Sequence, residues 1–89
     1  MAFFAAFLRM ADPEKNESFR PFHKEFLVAR EQEGKIYARG RFSDDSGGLV
    51  IYVADSLEQA MALAQSDPCI INGTCSLEIH PWEMKVARH

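Results

Sequence analysis

Residues Ala2 to Met10 read Ala-Phe-Phe-Ala-Ala-Phe-Leu-Arg-Met, and residues Leu49 to Ala54 read Leu-Val-Ile-Tyr-Val-Ala. In an extended chain Phe3, Ala5 and Phe7 point one way, while Phe4, Ala6, Leu8 and Met10 point the other. A strand that is apolar on both faces belongs in the middle of a sheet covered on both sides. Periodicity alone also allows a helix over the first run, but its length and position favour a strand. The second run is β-branched and apolar on both faces, so it is a second central strand.

The segments outward from these runs complete the pattern. Asp12-Pro13 breaks the first run, and the polar stretch to Ser18 reads as a connection. Ser18 caps a helix with Pro21 in its first turn, where the missing N–H costs little. That helix runs to about Glu33, and Gly34 stops it. Phe19, Phe22, Phe26 and Ala29 form its apolar stripe, with Leu27 at the edge. Lys35 to Phe42 alternates, with Ile36, Ala38, Gly40 and Phe42 on one face and Tyr37, Arg39 and Arg41 on the other. Ser43 to Gly48 is a turn by composition. Ser56 and Gln59 form a capping box for a second helix, with Leu57, Ala60, Met61 and Ala64 as its buried stripe. Asp67-Pro68 ends it. After a short connector, Thr74 to Trp82 alternates, with Cys75, Leu77 and Ile79 on one face.

The order β-α-β-β-α-β predicts an α+β, ferredoxin-like fold. Two right-handed split βαβ units build one four-stranded antiparallel sheet with both helices on one face. The whole chain, residues 1–89, is read as a single domain. A domain of this size buries only roughly 60–65% of the surface its unfolded chain exposes. The helix-free face of the sheet still carries large apolar residues, which monomers rarely leave bare. A homodimer or higher oligomer, with two sheets packed face to face, is therefore expected.

Composition narrows the partners. The formal net charge is −3 and the pI is near 5.5. With no Lys/Arg cluster, that is a poor match to nucleic acid. The apolar start stops at Arg9, too short for a membrane span and without the basic leader of a signal peptide. The two cysteines, Cys69 and Cys75, make no disulfide framework and point to a reducing, cytoplasmic setting.

His23 is the leading candidate for chemistry. On the helical wheel it falls within the apolar arc, between Phe19 and Leu27, so it faces the sheet or its rim. Its plainer role is a structural histidine held by one hydrogen bond. Its functional role is a proton acceptor or donor, since imidazole serves both near neutrality. Asp67 is read at the C-terminal end of the second helix, where its charge meets the negative end of the dipole. It is either a turn residue before proline or the partner that orients His23. Arg20 lies one turn before His23 and reaches the same region. Arg39 and Arg41 share a face of an edge strand, where charges block unwanted pairing or hold an anion in a guanidinium fork. Ser46, Gly47 and Gly48 form a hairpin connection or offer N–H groups to an anion. No metal is expected, because His23, His80, His89 and the cysteines show no ligand spacing. No cofactor is expected either. Cys69 and Cys75 read as small buried side chains, since the sequence names no activating partner.

Several stretches together resemble the YciI-like proteins, small dimeric α+β barrel proteins of bacteria. They are Arg20-Pro21-Phe22-His23, Gly34 with Lys35-Ile36-Tyr37-Ala38-Arg39-Gly40, and Ser46-Gly47-Gly48-Leu49-Val50-Ile51. They continue with Ser56-Leu57-Glu58-Gln59-Ala60, Asp67-Pro68-Cys69-Ile70, Gly73 and Ile79-His80-Pro81-Trp82. The resemblance implies a dimer with a cleft on each subunit and a histidine–aspartate active-site pair, which falls on His23 and Asp67. The family's arginine three residues before the histidine falls on Arg20. Its Gly-Pro after the second strand reads Gly40-Arg41 here, which adds a positive charge to the cleft. One branch of the family resembles enzymes that dehydrochlorinate a chlorinated hydroxyhydroquinone.

The expected function is a small, cofactor-free lyase or isomerase. His23, oriented by Asp67, would move a proton on a small aromatic or enolic anion in an elimination or isomerisation. Arg20, Arg39, Arg41 and Ser46 would hold that small-molecule ligand. The alternative is a non-catalytic ligand-binding or accessory domain, and a third is a purely structural module.

Overall fold

The computed structural model describes residues 1–87. His89, one of the histidines weighed above, lies outside the described residues. The elements are β1 (Ala2–Met10), α1 (Pro13–Gln32), β2 (Ile36–Arg41), β3 (Gly47–Ala54), α2 (Leu57–Gln65), α3 (Pro68–Ile71) and β4 (Cys75–Trp82). The strands form one antiparallel sheet in the order β2-β3-β1-β4. This is the ferredoxin-like arrangement, and the two doubly apolar strands are its central pair. Among the described residues no helix is long and apolar enough to cross a membrane.

The core lies between the sheet and the helices. Phe4, Ala6 and Leu8 of β1 and Val50, Tyr52 and Ala54 of β3 pack with Leu27 of α1 and with Ala60 and Ala64 of α2. Cys75, Leu77 and Ile79 of β4 close one side of it, on the shared face that their alternation predicts. Phe3, Ala5, Phe7, Leu49, Ile51 and Val53 alternate with these core residues and so face away from the helices.

α1 starts earlier than expected. Asp12, not Ser18, is its N-cap, accepting from the Lys15 N–H, and Pro13 opens the first turn. Pro13-Glu14-Lys15-Asn16-Glu17 therefore belongs to the helix. The start is pinned to the far edge of the sheet, because the Ala11 and Asp12 N–H groups both donate to the Thr74 carbonyl. Pro21 consequently sits inside the helix. The inward arc is Asn16, Phe19, His23, Phe26, Leu27 and Arg30. Leu27 is the buried centre of that arc and not its edge, while Phe22 is 55% exposed. The helix ends as expected, with Glu33 as C-cap and Gly34 at φ +75°.

Two further departures shape the site. The β2–β3 register runs Ile36↔Tyr52 and then Ala38↔Ile51, so an extra residue, Tyr37, is bulged. β3 also begins at Gly47, inside the stretch expected to be turn. Gly47 has φ +145°, and a Cβ there would lie 1.8 Å from the Leu8 carbonyl oxygen. Only glycine lets β3 pair this closely with the end of β1. In α2 the Ser56 hydroxyl caps the Gln59 N–H as predicted, but the Gln59 carboxamide returns to the Asp55 N–H. Ala60 and Ala64 are buried, whereas Leu57 is exposed.

Candidate active site

His23 projects from the inward arc of α1 toward the start of α3. Its Nδ1 lies 2.7 Å and 2.8 Å from the two carboxylate oxygens of Asp67. The Asp67 side chain is almost wholly enclosed, and that of His23 keeps a quarter of its surface open. A carboxylate only accepts, so Nδ1 carries the hydrogen and Nε2 is the nitrogen left for the cleft.

The sequence argument about Asp67 needs correction. α2 ends at Gln65 with Ser66 as its C-cap, and Asp67 is instead the N-cap of the four-residue α3. Its Oδ1 accepts from the Cys69 N–H at 3.1 Å. The carboxylate therefore sits at an N-terminus, where donors satisfy it, and not at the negative end of a dipole. Asp-Pro is here a helix opener as well as a breaker.

The dyad borders a cleft of about 780 Å³, within the range of small-molecule sites. Leu8, Met10, Leu27 and Val50 give it an apolar floor. Four cations, Arg20, Lys24, Arg39 and Arg41, line it with only two acids, Glu17 and Asp45. The bulge at Tyr37 is what brings two of them there. Past the bulge Arg39 stands opposite Val50 and Arg41 opposite Gly48, on the helix side of the sheet. Ile36, opposite the core residue Tyr52, shares that side, so the division of β2 into an Ile36 face and an arginine face does not hold. Arg39 is steadied by Glu31 at 3.1 Å, and Arg41 is 3.9 Å from Asp45. Pro21 and Glu17 also line the cleft. Pro21 has no N–H to give the Glu17 carbonyl, which leaves that oxygen without its helical donor at the wall.

Ser46 is not brought to the cleft. Its N–H is held by the Asp44 carboxylate and its carbonyl accepts from the Met10 N–H, while Gly47 and Gly48 beside it are lining residues. Residues passed over in the sequence do converge here. Cys69 and Cys75 both line the cleft, and one donor atom each of His23, Asp67 and Cys69 lie within 4.8 Å of one another. These are metal-ligand types, but the 2.7 Å contact between Nδ1 and the carboxylate is a hydrogen bond. Two such ligands on one tetrahedral zinc would stand about 3.3 Å apart. The arrangement is that of a hydrogen-bonded histidine–carboxylate pair.

Comparison with known proteins agrees with this fold. The family model described as the YCII-related domain matches residues 2–83. The uncharacterized protein YjpA of Bacillus subtilis (strain 168) is 35% identical over 78 residues, 88% of this chain and 92% of that protein. A solved structure with the same fold is 5-chloro-2-hydroxyhydroquinone dehydrochlorinase from Burkholderia phenoliruptrix AC1100, in complex with 2,5-dihydroxybenzoquinone. Its TM-score is 0.71 at 18% identity, covering 93% of this chain and 95% of that one.

Proposed function

The chain belongs to the YCII-related family, and from that premise we propose that it is a cofactor-free enzyme for proton transfer on a small aromatic or enolic anion. The observation that carries this reading is the His23 ring fixed by both oxygens of an enclosed Asp67 at the edge of a cationic cleft. Nε2 of His23 takes a proton from a hydroxyl or carbon of the bound molecule. The electron pair released either expels a leaving anion such as chloride, an elimination, or is reprotonated at another carbon, an isomerisation. Asp67 holds the tautomer and balances the imidazolium that forms. A positioned base of this kind contributes typically ~10²–10⁴-fold. Arg20, Arg39 and Arg41 hold the substrate's negative charge as it develops. The dehydrochlorinase with the same fold, holding a dihydroxybenzoquinone, suggests ring diols and halogenated phenols as the first compounds to try.

The same proposal includes a homodimer, with the second copy on the helix-free face of the sheet, and a cytoplasmic setting suited to two free thiols. The deciding experiment is a panel of halogenated hydroxyquinols and enol acids offered to the protein and to His23→Ala, with circular dichroism as the check on folding. Turnover that falls at least about 10²-fold in the folded variant is the expected result. Binding weakened by the substitution with no product at any pH would make the protein a binder. Turnover indifferent to His23 would remove the dyad from the mechanism.

A further inference from the structure

The chain carries a net negative charge, yet four of its ten Lys and Arg residues line the one cleft. They stand on two walls. Arg20 and Lys24 lie one helical turn apart on α1, on either side of His23 in the sequence. Arg39 and Arg41 lie two residues apart on β2, which follows α1 through Gly34 and runs back beside it. Leu8, Leu27 and Val50 give the two walls a shared apolar floor.

The walls differ in how their charges are held. Arg39 gives part of its guanidinium to Glu31 at 3.1 Å, and Arg41 stands 3.9 Å from Asp45. Each arginine is oriented by one acid and keeps N–H donors for a second acceptor. Two guanidinium groups on one face of a strand offer the fork that suits a planar carboxylate. The Ser46 N–H beside them is taken by the Asp44 carboxylate, so it adds nothing to a backbone nest of the kind that cradles phosphate. On α1, Arg20 and Lys24 make no ion pair among the described residues. Like charges at this spacing work against a helix, and no acid pairs with either of them. The wall that carries the base thus keeps two cations free for negative charge that appears when His23 takes a proton.

We propose that the ligand of this cleft is a hydroxylated aromatic or enolic carboxylate, with Arg39 and Arg41 holding the carboxylate and Arg20 and Lys24 facing the hydroxyl that His23 deprotonates. This division of charge rests on the proton-transfer reading above and adds to it a permanent anion at β2, apart from the developing one at α1. The proton passes from the hydroxyl oxygen to Nε2 of His23, and the electron pair stays on that oxygen. No bond to the carboxylate changes, so that group serves as a handle that fixes the ring against the base. A neutral diol leaves the β2 fork empty.

The test is calorimetric binding to the intact protein, at low salt and near neutral pH. The ligands are catechol and protocatechuate, hydroquinone and gentisate, and the methyl ester of each acid. Acid and ester are close in shape and differ in charge. Each acid should bind at least about tenfold tighter than its ester and its parent diol, the worth of one charge-assisted contact. That margin should shrink as salt is raised. Arg39→Gln and Arg41→Gln should each bring the acid to within about threefold of its ester, while Lys24→Gln should keep the margin. An acid that binds no better than its ester in the wild type would overturn the carboxylate site and leave the diol reading standing. A margin kept in both arginine variants, or lost as fully in Lys24→Gln, would overturn the assignment to β2. If neither acid nor diol bound at millimolar concentration, the carboxylate site and the small-anion reading of the cleft would fall together. The wild-type comparison of acid with ester decides even if an arginine variant fails to fold, and it needs no turnover.

Discussion

Asp67 joins two tasks in one side chain, because its carboxylate caps α3 through the Cys69 N–H and fixes His23 through Nδ1. Asp67→Ala removes the cap, worth about 1 kcal/mol. It also leaves a buried N–H and an imidazole N–H unpaired, at about 1–3 kcal/mol. A total loss of about 2–4 kcal/mol is expected in urea unfolding. Asp67→Asn keeps an acceptor oxygen at nearly the same place, so it should lose clearly less stability than Asp67→Ala. It also removes the charge that balances a protonated His23, so the proton transfer proposed for His23 should slow in Asp67→Asn even where stability does not fall. If the two variants unfolded at the same denaturant concentration, the capping role would be refuted. At this scale the residue types were legible: an inward histidine and an Asp-Pro pair stand out in the sequence. Their pairing was one of two readings of the residues and the one the family resemblance implies, and it is met; what the sequence hid is that Asp67 opens a helix, because α3 is a single turn too short to leave a periodic signal.

Elements place the rest of the site, and here a single bulge decides more than any side chain. Reading β2 as an unbroken alternation puts Arg39 and Arg41 opposite Ile36; the extra residue at Tyr37 returns them to the helix side and into the cleft. A bulge is a property of pairing between two strands, and one strand's sequence does not carry it. The early start of α1 was legible in principle, since Asp12-Pro13 fits an N-cap followed by proline at N1 as well as it fits a break. The close approach of β3 to β1 gives a sharp test. Gly47→Ala drives a Cβ into the Leu8 carbonyl at a φ that L residues avoid. It should cost at least about 2–3 kcal/mol and open the end of the β1–β3 ladder. Gly40→Ala meets no heavy atom within 4 Å. It should change stability by less than about 1 kcal/mol. Thermal unfolding of the pair measures the difference, and equal effects would contradict the register.

The whole molecule presents two unlike faces. One is covered by α1 and α2. On the other, Phe3, Phe7, Leu49 and Val53 are only half-buried around Ala5 and Ile51. The register sets Trp82 beside Phe3 and His80 beside Ala5 on that face, and Phe3 meets Tyr37 edge-on at 5.2 Å. Tyr37 is 53% exposed and Trp82 41%. A contiguous apolar surface rimmed by Arg9, Glu78 and His80 has the make-up of a subunit interface. The homodimer proposed above lays a second sheet on it, and the isologous symmetry sets each Phe7 against the same face of its partner. Phe7→Glu tests this at little cost to the single chain, because the side chain lies outside the helix-side core. One chain is 10.1 kDa. Light scattering behind size exclusion should give twice that mass for the wild type and the single-chain mass for Phe7→Glu, with the far-ultraviolet spectrum retained. The cleft opens on the opposite side of the sheet, among residues of α1, β2, β3 and α3. A monomeric Phe7→Glu should therefore still bind whatever the wild type binds there, and loss of that binding would mean that the second copy completes the site. A wild type that ran as one chain at tens of micromolar would leave the apolar face to some other partner.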